Sequence, residues 1–76
     1  MPVLPVLRGR QVVHVFEAFG WRIARQRGSY IILVKPNYMA TLSAPDHKVV
    51  AKGTLRSLIR AAGLTAEAFN AEAEKL

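Results

Sequence analysis

Two short stretches of the chain hold the side chains best suited to binding or cutting a polyanion. Residues 25–30 read Arg-Gln-Arg-Gly-Ser-Tyr, so Arg25 and Arg27 stand close in sequence to the aromatic ring of Tyr30. Guanidinium groups can hold phosphates while an aromatic ring stacks on a base. The same pattern occurs in many hairpins, and Tyr30 would also suit a core. Taken alone, the segment is a weak indication of a nucleic-acid site.

The second stretch is a predicted loop, residues 45–53, which contains a histidine. His47 lies there between Asp46 and Lys48, shortly before a basic helix. Imidazoles have a reference pKa of about 6.5, so they exchange protons near neutral pH and can contact phosphate. A solvated loop histidine without a role fits the pattern at least as well. The other histidine, His14, falls inside a predicted helix, and we expect it on the helix surface.

Several kinds of chemistry lack the residues that they need. The chain has no cysteine and only two histidines, so a metal site built from these ligands is not expected. The five acidic residues form no compact pair of the kind that glycosidases or two-metal enzymes use. No glycine-rich phosphate loop is present, since Gly28 alone marks a turn. We expect neither a metal nor a cofactor.

The charge of the chain is high and unevenly distributed. The net charge is +6, with ten Lys or Arg against two acids in residues 1–60, and one Lys against three Glu in residues 61–76. The first part is therefore near +8 and the second near −2. Such a basic surface favours a polyanionic partner, because phosphates release counterions when they bind cations. Solubility alone, or an acidic protein partner, would also account for the charge.

The length and composition indicate one folded domain. A chain of 76 residues, half of them hydrophobic, can form a single core, which gives one domain over residues 1–76 with an N-terminal arm at 1–8 and a short C-terminal helix at 65–76. The apolar start is interrupted by Pro2 and Pro5 and makes a poor secretory signal. No apolar run approaches the length of a membrane span. Without cysteines, a cytoplasmic location fits best.

Hydrophobic periodicity and turn residues divide the chain into short elements. Helical spacing of apolar residues is followed by a glycine stop at Gly20 and again at Gly63. Thr54 and Thr65 are suitable N-caps for the second helix and for the terminal one. The predicted elements are a helix over 9–19, strands over 21–26, 30–34 and 38–44, a helix over 54–62 and the terminal helix.

This order predicts an α+β fold with a three-stranded antiparallel sheet and both main helices on one face. The connections between strands have hairpin length, which favours an antiparallel meander. In the middle strand, Ile31 and Leu33 point to one face while Tyr30, Ile32 and Val34 point to the other, so both faces are apolar. Either the N-terminal arm covers the second face, or a partner does.

In order and spacing, several short motifs resemble those of the HicA toxins over about residues 9–69. The motifs are Gly9 to Phe19, Gly20-Trp21, Arg25-Gln26-Arg27-Gly28-Ser29, Pro45-Asp46-His47-Lys48, Gly53-Thr54-Leu55-Arg56-Ser57-Leu58 and Ala62-Gly63-Leu64. The resemblance implies a fold like that of a double-stranded RNA-binding domain, α-β-β-β-α. It also implies an mRNA interferase, an endoribonuclease that a HicB antitoxin neutralises by covering its active surface.

The resemblance also implies a functional histidine after Gly-Ser at the start of the second strand, and this chain has Tyr30 there. Metal-free RNA cleavage needs a base that accepts the proton of the 2′-hydroxyl, and an imidazole suits this step at neutral pH. A phenol has a reference pKa of about 10, which makes it a poor base unless nearby arginines lower that value. Tyr30 could still donate a hydrogen bond or stack on a base.

Three interpretations follow. In the first, the protein cuts RNA, and Tyr30 or His47 replaces the functional histidine. In the second, it binds RNA and antitoxin without cutting. In the third, its apolar sheet face binds a protein. We adopt the first, with mRNA and a HicB-like antitoxin as partners, no membrane, and self-association left open. The expected RNA-binding residues are Arg25, Arg27, Gly28, Ser29, Lys35, His47, Lys48, Lys52 and Arg56.

Overall fold

A computed structural model describes residues 3–76 and confirms the predicted α+β class. Three helices and three strands follow one another in the order α-β-β-β-α-α, and the sheet is antiparallel with strand order β1-β2-β3. This architecture is consistent with that of a double-stranded RNA-binding domain. The elements are α1 (Gly9–Ala18), β1 (Arg22–Arg27), β2 (Tyr30–Val34), β3 (Leu42–Pro45), α2 (Lys52–Ala61) and α3 (Ala66–Ala73).

The core lies between the helices and one face of the sheet. Ile31 and Leu33 of β2 point into it, together with their β3 partners Ala44 and Leu42. The apolar faces of all three helices cover these residues, since α1 contributes valines and Phe16 while α3 contributes Phe69. We call this side of the sheet the helical side and the opposite side the outer face. Among residues 3–76, no helix is long and apolar enough to cross a lipid bilayer.

The N-terminal arm packs on the helical side. Leu4 and Leu7 belong to the same core cluster as the helices, and the Asn70 side chain donates a hydrogen bond of 3.1 Å to the Val3 carbonyl. The backbone N–H of Val50 also donates to the Leu7 carbonyl at 2.9 Å. The second apolar face of the sheet, for which either the arm or a partner is the expected cover, is the outer face. The described part of the arm does not cover it. Met1 and Pro2 of the predicted arm lie outside the described residues.

The third strand is shorter than predicted and begins later, at Leu42 instead of Tyr38. Asn37 adopts a left-handed backbone conformation with φ of 69°, and a turn bond joins the Tyr38 N–H to the Lys35 carbonyl. The Tyr38 ring then packs edge-on against Trp21, with 5.4 Å between ring centroids. That aromatic contact turns the chain away from the sheet, which hydropathy patterning alone does not reveal. Trp21 itself is buried and precedes β1 rather than opening it.

The second helix begins two residues before the predicted cap. Its N-cap position is Ala51, which makes no side-chain cap, so Thr54 lies inside α2 and the prediction of a Thr54 cap is wrong. This helix end is exposed, so water can satisfy its free N–H groups. The predicted cap of the terminal helix is confirmed, because the Thr65 hydroxyl accepts from the Ala68 N–H at 3.1 Å. The chain also reverses as predicted at Gly63, which has φ of 73°.

Candidate nucleic-acid interface

A β-bulge in β1 decides which arginines share a face of the sheet. In a regular strand, side chains alternate, so Arg22 would point away from Arg25 and Arg27. The register between β1 and β2 instead shifts by one residue at Ala24, pairing Arg22 with Val34 but Arg25 with Ile32. Such a bulge redirects the side chains that follow it. All three arginines therefore lie on the outer face, and we call them the arginine row.

The arginine row runs beside the apolar side chains that β2 presents to the outer face. Arg22, Arg25 and Arg27 pair in register with Val34, Ile32 and Tyr30 respectively, and residues paired in this way share a face. β1 is an edge strand whose six residues are all exposed. The arginines have no acidic neighbour in register, because β3 contributes Ser43 and Pro45 to this face. The result is an open, positively charged surface.

Tyr30 and Ile32 differ in how far they are exposed. Ile32 is only 8% exposed although it lies on the outer face between Arg25 and Ser43. Arginine side chains commonly lay their aliphatic stems over such apolar surface while the charged heads remain in water. Tyr30, next to the hairpin, is 47% exposed. The alternative that Tyr30 packs in the core is therefore not the one that the structure shows, and the residue is accessible to a flat ligand.

The hairpin that carries Tyr30 is held against the end of β3. Gly28 adopts φ of 58° in the two-residue turn, a conformation that glycine favours. The N–H of Asp46 donates to the Ser29 carbonyl at 2.7 Å, which continues the β2–β3 pairing beyond Pro45. On the helical side, Arg10 of α1 bridges Asp46 at 3.2 Å and contacts the Gln26 side chain at 3.5 Å. The hairpin, the β3 end and the start of α1 thus form one unit.

His47 belongs to this unit. Its carbonyl oxygen accepts a 2.9 Å hydrogen bond from the Gly9 N–H at the start of α1, and its side chain is exposed. Since Tyr30 pairs with Pro45, His47 stands two residues beyond the cross-strand neighbour of the tyrosine. The other histidine, His14, is exposed in the middle of α1 beside Glu17. Of the two histidines, His47 is therefore the one that lies at the strand end beside the hairpin.

Lys35 lies at the other end of β2. It follows Val34, so about 17 Å of extended chain separates its backbone from that of Tyr30. Its ammonium group sits 4.9 Å from the centre of the Tyr38 ring, and its side chain also passes close to Gly20. The side chain is half-buried in these contacts. The structure thus separates Lys35 from the hairpin residues with which the sequence grouped it.

The remaining predicted residues follow β3. Lys48 is exposed in the loop after His47, and Lys52 opens α2. Arg56 lies one turn further along α2, where it lines a pocket with Leu4 and Ile59 on the helical side. The structure therefore unites Arg25, Arg27, Gly28 and Ser29 with Tyr30 and His47, and places Arg56 on a different surface. Residues 3–76 contain no group of three or more His, Asp or Glu side chains arranged to hold a metal ion.

Sequence reasoning missed Arg22 as a site residue. Arg22 is separated from Arg25 and from Arg27 by an odd number of positions, so in a regular strand its side chain would point to the opposite face. The bulge at Ala24 reverses that assignment, and neither glycine nor proline marks it in the sequence. An available signal was the excess of arginine over acid along the whole of residues 22–27, which suits an edge strand that avoids pairing with other chains.

The fold and this surface define a small basic α+β protein with an arginine-rich open sheet face. A sequence model of the HicA family, the HicA toxins of bacterial toxin-antitoxin systems, matches residues 9–64. The match spans most of the 76 residues, so the chain belongs to the HicA toxin family. Membership implies a toxin-antitoxin system with an antitoxin partner. No curated protein sequence matches the chain.

Proposed function

We propose that this HicA-family toxin acts on RNA, and that the outer face of the sheet is its RNA-binding surface. The observation that carries the proposal is the arginine row beside the exposed ring of Tyr30. Arginine binds phosphate through a planar set of donors, and its charge persists at every physiological pH. Three such groups along one strand can neutralise successive parts of a nucleic-acid backbone.

The accessible aromatic ring favours single-stranded over double-stranded RNA. Bases inside a duplex are stacked on each other, whereas unpaired bases are free to stack on an aromatic side chain. Tyr30 stands between the hairpin turn and Ile32, with Arg27 as its cross-strand neighbour. A base that stacks on this ring would keep its phosphates near Arg25 and Arg27. The proposed ligand is therefore a single-stranded region of mRNA.

We further propose that the toxin cleaves this RNA without a metal, with His47 as the base. His47 is held through its backbone at the hairpin end, and its exposed imidazole is free to meet the ligand. In this step the imidazole accepts the proton of a 2′-hydroxyl, whose oxygen attacks the adjacent phosphorus. The bond from phosphorus to the 5′-oxygen of the next nucleotide breaks, and that oxygen takes up a proton from water. Arg25 and Arg27 would stabilise the charge on the phosphate oxygens.

A second candidate is a toxin-family module that binds RNA and its antitoxin without cutting. The observation in its favour is that Tyr30 occupies the position that the resemblance assigns to the functional histidine. The ring suits stacking, and the phenol is a weaker choice than imidazole for a proton acceptor. Both candidates use the same binding face and differ only in the chemical step.

Cleavage of a long single-stranded RNA in the presence of a chelator separates the candidates. We would compare the unchanged chain with Tyr30→Phe, Tyr30→His and His47→Ala, using His14→Ala as the matched histidine control. We expect cleavage that His47→Ala abolishes and that Tyr30→Phe and His14→Ala retain. If Tyr30→Phe also abolishes cleavage, the phenol carries the step. Cleavage by Tyr30→His alone would support the non-cutting module, and absence of RNA binding at low salt would contradict both candidates.

A further inference from the structure

A second basic surface lies on the helical side, away from the arginine row. Arg56 and Arg60 of α2 line a pocket of about 220 Å³. Its other lining residues are apolar and come from the arm, from α2, and from the turn and first residue of α3: Leu4, Ile59, Leu64 and Ala66. We call this the α2 pocket. It combines two guanidinium groups with an aliphatic lining that contains no aromatic ring.

The two arginines of the α2 pocket lack a local counter-charge. They stand four residues apart on one helix, where like charges destabilise the helix by a few tenths of a kcal/mol. α2 carries no acidic residue, and Lys52 at its first turn adds a third cation one turn before Arg56. The ion pairs of the described residues use Arg10, His14 and Lys75 instead. The cations of α2 thus remain free for an external anion.

The start of α3 adds to the positive potential at this pocket. Ala66, the first residue of α3, lines the pocket, and the N-terminus of a helix carries a partial positive charge. Glu67 in the same turn offsets part of this charge, but it forms no ion pair with either arginine. Two guanidinium groups against one exposed carboxylate leave the pocket with a net positive charge.

We infer that the α2 pocket docks an acidic segment of a protein partner, with a Glu or Asp carboxylate on the arginines and an adjacent aliphatic side chain on the apolar lining. Arginine forms bidentate pairs with carboxylates and is enriched at protein interfaces. The aliphatic lining favours a protein over RNA, because it offers no surface on which bases stack well. The antitoxin partner that family membership implies is the natural source of the segment.

This docking site and the arginine row lie on different sides of the sheet. The α2 pocket includes Leu4 and Ile59, which belong to the helical-side core, whereas Arg22, Arg25 and Arg27 lie on the outer face. An acidic segment bound to α2 therefore does not itself cover the arginine row, which another part of the antitoxin must cover to neutralise the toxin. The inference does not depend on the proposed RNA binding, since each surface has its own residues.

The test uses the full chain labelled with ¹⁵N and a defined peptide as probe. The peptide acetyl-Glu-Leu-Glu-Glu-Leu-Glu-amide is titrated to about 10 mM, and the same peptide with Gln for every Glu is the matched control. We expect amide shifts concentrated at Arg56, Arg60, Leu64 and Ala66 with the acidic peptide only. The double variant Arg56→Gln, Arg60→Gln should weaken binding by about tenfold or more, as expected for the loss of charge-assisted hydrogen bonds.

Three results would overturn the inference: no shift at the pocket, equal shifts with the glutamine peptide, or shifts concentrated at the arginine row. A single-stranded RNA that shifts the pocket amides as strongly as the acidic peptide would assign this surface to RNA instead. RNA affinity measured on Arg56→Gln, Arg60→Gln reports separately on the proposed function. Unchanged RNA affinity together with lost peptide binding would support two distinct surfaces.

Discussion

At the scale of single residues, Gly9 shows how a close backbone approach fixes the geometry of the site. A Cβ atom at this position would overlap the Pro45 carbonyl oxygen and lie 2.9 Å from the Cα of Asp46. Both neighbours are backbone atoms, so neither can move without shifting the end of β3. The same glycine donates the hydrogen bond to the His47 carbonyl. A residue without a side chain therefore allows α1 to touch the strand end beside the hairpin.

We expect Gly9→Ala to lower the free energy of unfolding by about 1–3 kcal/mol, the usual cost of overpacking. Urea denaturation measures the change. Gly53→Ala is the matched control, because Gly53 lies in α2 with open space around the added methyl group. Alanine is the better helix former, so the control should be neutral or more stable by up to about 1 kcal/mol. Equal stability of the two variants would contradict the close approach at Gly9.

The ring of Tyr30 allows a second residue-scale prediction. If the ring stacks on a base, Tyr30→Phe keeps the stacking surface while Tyr30→Ala removes it. We expect Tyr30→Ala to weaken single-stranded RNA binding by about 1–3 kcal/mol and Tyr30→Phe to change it little. Fluorescence anisotropy with a labelled oligonucleotide measures both affinities. Tyr38→Ala serves as a control at the other end of the sheet, where a similar loss would show that stacking is not local to the hairpin.

At the scale of elements, β1 determines the charge of the outer face, because its bulge changes which of its side chains point there. The strand is an edge with six exposed residues, so no packing requirement fixes its sequence tightly. The extra residue at Ala24 allows Ile23 to pair with Leu33 on the helical side while Arg22 and Arg25 both reach the outer face. A regular strand of the same composition would divide its arginines between the two faces.

Arg22→Gln tests the bulge through function. We expect it to weaken RNA binding about as much as Arg25→Gln and Arg27→Gln, because all three belong to the arginine row. Each substitution should also lower the salt dependence, reducing the slope of log affinity against log salt by about 0.7. Arg60→Gln, on the helical side, is the matched control that should leave both quantities unchanged. An Arg22→Gln variant that behaves like this control would show that Arg22 does not face the RNA.

At the scale of the whole molecule, the positive charge is divided between two surfaces. The sheet presents the arginine row on its outer face, while α2 presents cations on the helical side. The few acids serve elsewhere: Asp46 is paired with Arg10, and Glu72 with Lys75. A net charge of +6 therefore does not describe one uniform basic surface. It describes two surfaces with different neighbours, one beside an aromatic ring and one beside an aliphatic pocket.

The division of the positive charge between two surfaces predicts a modest salt dependence of RNA binding. If only the three arginines of the row neutralise phosphates, the slope of log affinity against log salt should be about −2 for a single strand. Participation of the α2 cations as well would make it steeper, near −4. Affinities measured over a range of KCl concentrations distinguish these values. A slope near −4 that falls in Arg56→Gln, Arg60→Gln would contradict the separation of the two surfaces.

The sequence by itself determined the order of elements, the placement of both main helices on one face of the sheet and the basic hairpin. These follow from local causes: apolar periodicity, the glycines at positions 20, 28 and 63, and the charges beside Tyr30. Only the tertiary structure decided that Arg22 lies beside Arg25 and Arg27, that Arg56 lies on a different surface from them, and that β3 starts at Leu42. The physical reason is the same in each case, because cross-strand register, helix docking and the Trp21–Tyr38 contact depend on residues distant in sequence.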